Sequence, residues 1–122
     1  MMKRWVGRWL MAVGAVHVPF AMVKHHAIWS EIAQAGVFDV IAGHPARGHA
    51  AWFFVAGPTL LFLGAMIDAL EKEQVDLPLA LGIAMLLTAI LLLVLMPRSG
   101  SWLLLPPAFA MIARAVRPRR AW

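Results

Sequence analysis

Residues 77–96 read LPLALGIAMLLTAILLLVLM, an apolar run with Thr88 as its one polar interior side chain. A helix needs about 20 residues to cross the ~30 Å apolar core of a bilayer. Three further apolar stretches, about 5–23, 50–69 and 101–116, occur in the same 122-residue chain. We therefore predict an all-α fold, a four-transmembrane-helix bundle that forms a single integral membrane domain over residues 1–122.

The composition favours a bilayer over water as the solvent. Hydrophobic residues make up 62% of the chain and charged residues 14%, whereas soluble domains average roughly 45–50% and about 25%. A soluble chain of this size keeps too much surface to hide so many apolar side chains. Lys3 and Arg4 before an apolar stretch are typical of a signal peptide, but Arg8 and His17 interrupt that stretch. We expect it to be a membrane helix.

The basic residues predict the orientation. Four spans would put both termini and the 70–76 loop on one side of the membrane, with eight Lys and Arg residues against three on the other. The eight are Lys3, Arg4, Arg8, Lys72, Arg114, Arg117, Arg119 and Arg120, and the three are Lys24, Arg47 and Arg98. An excess of Lys and Arg marks the cytoplasmic side, so both termini are predicted to be cytoplasmic. These residues cluster at span ends rather than along one helix face, which disfavours nucleic-acid binding.

The connection between the first two spans contains a predicted helix of its own. Ser30 is a good N-cap before EIAQAGVFDVIA, and Gly43 followed by Pro45 is a good stop. Apolar residues recur at helical spacing between them, so we predict a short amphipathic helix at about 30–42 that lies on the outer surface of the membrane or caps the bundle. At the end of the second span, the four-residue spacing of Asp68 and Lys72 predicts a local ion pair.

Small residues predict where the first two spans pack. Gly7 and Gly14 lie seven residues apart on one face of the first span, and Gly57 and Gly64 repeat the spacing on the second. Membrane helices approach closely through such residues, so these four glycines are the predicted helix-packing positions. The same face of the first span carries His17 into the bundle.

His17 has two interpretations at this stage, which the sequence leaves open. An inward-facing histidine in a membrane span is a functional candidate, but a neutral imidazole hydrogen-bonded to a neighbouring helix would be purely structural. Bis-histidine haem is disfavoured because His49, at the outer edge of the second span, would lie at a different depth. A metal site at the outer histidines is also disfavoured, since adjacent His25 and His26 point about 100° apart on a helix. We predict no cofactor and no metal ligand.

The chain resembles one known family. The similarity covers about residues 3–113 and rests on KRWVGRWLMAVGAVH, WSEIAQAGVFD, RGHAAWFFVAGPTLLFLGAMID and MPRSGSWLLLPPA. Its most specific parts are G-R-x-L-x-x-x-G-x-x-H, which ends at His17, and the A-W-F segment. The family is a domain-of-unknown-function family of small bacterial four-helix integral membrane proteins. The resemblance implies the four-helix membrane fold and a recurring family position for His17. The location that we predict is the bacterial inner membrane.

We predict a non-enzymatic membrane protein that associates with itself or serves as an accessory subunit of a larger membrane complex. The chain has no recognisable catalytic constellation, so no catalytic residue is assigned, and an enzyme is the less favoured prediction. The predicted partners are the lipid bilayer and either a homo-oligomer or a larger complex. The alternative is a protein or enzyme that binds a small molecule or lipid in an outward-opening pocket. Its candidate ligand-binding residues are His17, His49, Trp52, Arg98 and Trp102.

Overall fold

A computed structural model describes residues 3–117 of the chain, and those residues form helices, turns and connections with no strand. The helices are α1 (Val6–Lys24), α2 (His26–Gln34), α3 (Pro45–Lys72), α4 (Leu79–Leu95) and α5 (Leu105–Val116), with a 3₁₀ helix at Gly100–Leu104. The all-α prediction is confirmed. Arg119 and Arg120, which entered the orientation argument, lie outside the described residues.

The helix in the first connection lies earlier in the chain than predicted. It begins at His26, so Ser30 is inside it rather than at its N-cap, and the Trp29 nitrogen donates to the His25 carbonyl at 3.0 Å. It ends at Gln34 because Gly36 adopts a left-handed backbone with φ +97°. The predicted bounds of 30–42 are therefore wrong, because α2 starts almost directly from the end of α1.

Arg47 ties this connection to the start of α3. Its Nε and Nη2 atoms donate to Glu31 Oε1 at 2.9 and 2.7 Å, and its Nη1 donates to the Val40 carbonyl at 2.9 Å. The side chain thus joins α2, the turns that follow it and the first turn of α3. The segment between α1 and α3 is therefore held in place by the hydrogen bonds and the ion pair of Arg47.

Pro106 and Pro107 explain how the last apolar stretch begins. Proline lacks an N–H donor and is best tolerated in the first turn of a helix, where those donors have no intrahelical partner. Accordingly α5 begins at Leu105, and the residues before it form the 3₁₀ helix. The Ser99 hydroxyl oxygen accepts from the Ser101 nitrogen at 3.3 Å at the start of that element.

The chain divides into two compact units, and the divisions fall inside α1 and α3. Of the described residues, 3–10 and 64–117 belong to the first unit and 11–63 to the second. In the first unit α4 and α5 pack closely at Gly82. A Cβ at that position would lie 3.1 Å from the Ile112 nitrogen, which is closer than ordinary van der Waals contact. The buried apolar side chains of the first unit include Leu10, Ile67 and Met111, and those of the second include Ala21, Ile32 and Ala50.

Two helices, α1 and α3, are long and apolar enough to cross a membrane. In the most apolar 18-residue segment of each helix, only 28% of α1 and 22% of α3 is buried inside the protein. The segments Leu79–Leu95 and Gly100–Val116 are apolar but shorter. The described residues therefore contain two candidate spans by length and composition.

Candidate functional site

A fully buried carboxylate, Glu71, holds the beginning of α1. Its Oε1 accepts from the Gly7 nitrogen at 2.7 Å, and its Oε2 lies 3.4 Å from the Val6 nitrogen. The first N–H groups of a helix have no intrahelical partner and carry partial positive charge, so a carboxylate placed there is stabilised. Glu71 comes from the last turn of α3, so one helix supplies the N-terminal cap of another.

Arg114 of α5 completes this arrangement. Its Nη1 donates to Glu71 Oε2 at 2.7 Å and its Nη2 donates to the Lys3 carbonyl at 2.7 Å. The guanidinium carbon also lies 6.0 Å from the centre of the Trp5 ring. Burying a charge is costly unless it is paired and hydrogen-bonded, and here both conditions are met. The term capping network is used below for Glu71, Arg114 and the backbone groups that these two side chains bind.

Asp68, one turn before Glu71, binds two arginines near the start of α1. Arg4 donates from Nε to Oδ1 at 3.2 Å and from Nη2 to Oδ2 at 2.9 Å, and Arg8 Nε lies 3.6 Å from Oδ1. The hydrogen bond to Asp68 raises the pKa of Arg4 above its ordinary value. The predicted local ion pair with Lys72 is wrong in its partner, because Arg4 offers a bidentate geometry that a single ammonium cannot match.

The four helix-packing glycines lie in two close approaches, one in each unit. A Cβ at Gly7 would lie 2.6 Å from the Gly64 carbonyl oxygen, and a Cβ at Gly14 would lie 2.6 Å from that of Gly57. Such distances are shorter than van der Waals contact, so the backbones of α1 and α3 approach as only glycine permits. All four glycines are buried.

His17 lies against the backbone of α3. Its Nε2 is 2.6 Å from the Phe53 carbonyl oxygen, and the His17 and Phe53 ring centres are 4.5 Å apart. Because a carbonyl oxygen only accepts, we assign the proton to Nε2. The bond partner is therefore a backbone carbonyl of α3.

Replacing His17 with Leu is expected to lower the free energy of unfolding by about 1–2 kcal/mol, because a hydrogen bond in a partly buried site is lost. His17→Gln retains a donor and is expected to lose less. Thermal unfolding in a mild detergent measures both, with His44→Leu at an exposed histidine as the control. Equal unfolding temperatures for wild type and His17→Leu would show that the bond does not stabilise the fold.

Aromatic and histidine rings gather around Phe53 in the second unit. His25 lies 5.2 Å from the His49 ring centre and 5.3 Å from that of Phe53, and Lys24 Nζ lies 4.8 Å from the Phe53 centre. Among the described residues, the buried atoms His25 Nε2 and Trp29 Nε1 contact no hydrogen-bond partner. Burial, His49 and Lys24 together lower the pKa of His25 below its ordinary value.

This pKa shift predicts a loss of stability in mild acid. The unfolded chain takes up a proton at His25 near pH ~6.5, whereas the folded chain takes it up only at lower pH. The stabilisation is thus complete above about pH 6.5 and is lost as the pH falls through the folded pKa. Unfolding temperatures measured across this range should fall for wild type and for the exposed control His26→Phe, and less for His25→Phe. Parallel curves for all three proteins would contradict the assignment to His25.

The predicted ligand-binding residues are divided between the two units. In the second unit, His17 and His49 both contact Phe53, at ring-centre distances of 4.5 and 6.5 Å, whereas Trp52 is 77% exposed. In the first unit, Trp102 is 57% exposed and donates from Nε1 to the Pro97 carbonyl at 2.9 Å. Arg98 is exposed in the connection before the 3₁₀ helix. Among residues 3–117, no group of three or more His, Asp or Glu side chains is placed to hold a metal ion.

Sequence reasoning missed Glu71 and Arg114, although each left a signal. Arg114 interrupts the fourth apolar stretch, and Glu71 is an acid in the last turn of a helix, where the helix dipole disfavours it. A charge placed either within an apolar stretch or against the helix dipole requires a partner. Each of these two residues is the partner that the other requires, so the ion pair could have been predicted from the two signals together.

A family model described as "Family of unknown function (DUF6463)" matches residues 1–118, nearly the whole chain. The chain belongs to the DUF6463 family. Comparison of this DUF6463 chain with curated proteins and with solved structures gave no match in either set. The resemblance inferred from the sequence is thereby confirmed as far as membership of a family of unknown function.

Proposed function

We propose that this DUF6463 chain is a non-enzymatic integral membrane protein that crosses a bacterial inner membrane four times and associates with itself or with a larger membrane complex. The observation that carries the proposal is the low burial of α1 and α3: only 28% and 22% of their most apolar 18-residue segments are buried inside the protein. A helix this apolar in a water-soluble protein would be a core helix with most of its surface covered. Lipid, or other membrane helices, would cover these surfaces instead.

The distribution of charge supports the same proposal. The capping network and the Asp68 cluster lie at the start of α1 and the end of α3, and Lys24 and Arg47 lie at the opposite ends of these helices. The interior turns of both helices carry exposed apolar side chains instead, among them Val16, Phe20, Val55 and Phe62. Charged ends that flank an apolar middle are the arrangement that a bilayer requires of a spanning helix.

The third and fourth spans are shorter than a typical bilayer core. Helix α4 has 17 residues and so extends about 26 Å. The 3₁₀ helix and α5 together extend about 28 Å, because a 3₁₀ helix rises ~2.0 Å per residue. A mismatch of a few ångströms is accommodated by local thinning of the bilayer at modest cost.

Cysteine labelling tests directly whether α3 crosses the membrane and in which direction, because the chain has no cysteine of its own. We expect Glu73→Cys, in the connection after α3, to react with a membrane-impermeant maleimide only after the inner membrane is permeabilised. His44→Cys, in the connection before α3, should react in intact spheroplasts. Release of the protein by alkaline carbonate, or labelling of both sites from the same side, would overturn the proposal.

Association is tested by the mass of the purified protein. Light scattering in a mild detergent should give more than one chain per particle after the detergent is subtracted, or should show a co-purifying membrane protein. A monodisperse single chain at low detergent concentration, with no partner after gentle solubilisation, would contradict the association part of the proposal. Such a result would leave the topology unaffected.

A second candidate function is binding of a small polar molecule near the end of α1. The observation that favours it is the pair of buried donor or acceptor atoms, His25 Nε2 and Trp29 Nε1, that lack a hydrogen-bond partner among the described residues. Buried polar groups almost always have a hydrogen-bond partner, so two unsatisfied atoms, one of them on the His25 ring beside His49, suit a hydrogen-bonding ligand. Mass spectrometry of wild type and of His25→Phe, with a visible absorption spectrum, tests for a bound molecule that the variant loses.

A further inference from the structure

An open cavity of about 580 Å³ lies in the first unit, between the residues that precede α1 and the last turns of α5. Three basic side chains, Lys3, Arg114 and Arg117, line it together with Trp5, Asp76 and two alanines of α5. Basic side chains outnumber carboxylates in this lining. Its chemistry suits an anionic group with several acceptor oxygens.

Arg114 is held in place before any ligand arrives. The capping network binds two of its nitrogens, to Glu71 and to the Lys3 carbonyl, each at 2.7 Å. The Lys3 carbonyl bond also fixes the backbone from which the Lys3 side chain extends. A site whose groups are already ordered loses less conformational entropy on binding. The exposed side chains of Lys3 and Arg117 are then the two cations at the mouth of the cavity.

An apolar surface continues from the cavity along α5. Ala113 lines the cavity, and Phe109, one helical turn earlier on the same face, is 56% exposed. Trp5 adds an aromatic ring of the kind that favours the headgroup level of a membrane. A polar cavity beside an exposed apolar strip matches a molecule with a phosphate at one end and a hydrocarbon chain at the other.

We propose that this cavity binds the phosphate of an anionic phospholipid, with Lys3 and Arg117 contacting the phosphate oxygens and an acyl chain lying over Phe109. The proposal rests on the proposed membrane location and adds a specific lipid site to it. Arginine and lysine are the usual ligands of phosphate oxygens in proteins. The shared chemistry is a phosphate group, and the experiment separates a lipid phosphate from a free one.

The test uses the full chain in detergent, titrated with short-chain phosphatidylglycerol, short-chain phosphatidylcholine or inorganic phosphate while its unfolding temperature is recorded. Phosphatidylglycerol is expected to raise the unfolding temperature of wild type at concentrations at which the other two have little effect. The double variant Lys3→Gln/Arg117→Gln is expected to bind phosphatidylglycerol at least about a hundredfold more weakly, because two charge-assisted contacts are lost. Equal stabilisation by inorganic phosphate would indicate a soluble-phosphate site and overturn the lipid assignment.

Lys72→Gln is the matched control, since Lys72 is an exposed lysine at the end of α3 that does not line the cavity. A general attraction of basic residues for an anionic lipid amounts to about 1 kcal/mol per residue, roughly fivefold in affinity, and would affect this variant as much as either single cavity variant. Equal weakening in Lys72→Gln, Lys3→Gln and Arg117→Gln would overturn the site. If wild type stays embedded in phosphatidylcholine vesicles after carbonate washing but shows no preference for phosphatidylglycerol, only the lipid site fails. Failure to embed at all would be a failure of the proposed function.

Discussion

Glu71→Ala is expected to lower the free energy of unfolding by about 3 kcal/mol. The substitution removes the partner of Arg114 and leaves the Val6 and Gly7 nitrogens without an acceptor. Breaking a buried ion pair from one side costs about 3–5 kcal/mol, and the 20% exposure of the Arg114 side chain places this case near the lower limit. Denaturant unfolding in mixed detergent micelles measures the loss.

Glu73→Ala provides the matched control for this substitution. Glu73 is an exposed glutamate two residues further on, and its replacement is expected to change stability by less than about 0.5 kcal/mol. A double-mutant cycle with Arg114→Ala then isolates the pair, because the double variant no longer buries an uncompensated charge. Its loss is expected to be smaller than the sum of the two single losses by at least about 0.5 kcal/mol. Strict additivity would show that Glu71 and Arg114 do not stabilise each other.

Gly14→Ala is expected to lower the free energy of unfolding by about 2–3 kcal/mol, because the added methyl group forces two backbones apart. Its Cβ would lie 2.6 Å from the Gly57 carbonyl oxygen and 2.8 Å from the Leu61 nitrogen. Both are backbone atoms, so a side-chain rotation cannot relieve the contact. The loss outweighs the gain of about 0.5–1 kcal/mol that alanine normally brings to a helix interior.

The same substitution at Gly48 should have the opposite sign. Gly48 also lies in a helix of the second unit, but a Cβ there would meet only the Ile41 Cγ2 atom, at the ordinary contact distance of 3.7 Å. Gly48→Ala is therefore expected to stabilise the protein by up to about 1 kcal/mol. Both variants add the same methyl group to a helix, but only the one at Gly14 would contact backbone atoms of a neighbouring helix. A loss of stability in both would mean that the close approach at Gly14 is not what makes glycine necessary there.

The sequence predicted the helices well because apolar runs of this length leave few alternatives. It predicted α2 poorly, because the preference of Ser30 for an N-cap is weak compared with the continuation of helical backbone from His25. The partners of charged residues were harder still. Spacing within one helix suggested Lys72 for Asp68, yet the structure pairs Asp68 with Arg4, which is 64 residues away. Such a pair depends on how two helices align, which local patterns do not encode.

The candidate site divides in the same way. The inward direction of His17 followed from its place on the glycine face, because helical spacing fixes which residues share a face. The identity of its acceptor, the Phe53 carbonyl, did not follow from spacing. It depends on the exact alignment of α1 along α3, to which the close approach at Gly14 and Gly57 contributes. A similar limit applied to Glu71 and Arg114, which are 43 residues apart.

The capping network also bears on how the chain matures on the ribosome. The start of α1 is synthesised before Glu71, which caps it, and the ion pair between Glu71 and Arg114 forms only once α5 has been made. Until then Glu71 lacks the guanidinium that lies 2.7 Å from its Oε2, and we expect the contact between α1 and α3 to be weaker. A nascent or truncated chain that lacks α5 is therefore expected to be less stable at the contact between α1 and α3, because Glu71 has lost its ion pair with Arg114. A helix that is made after α1 and α3 thus completes the capping of α1.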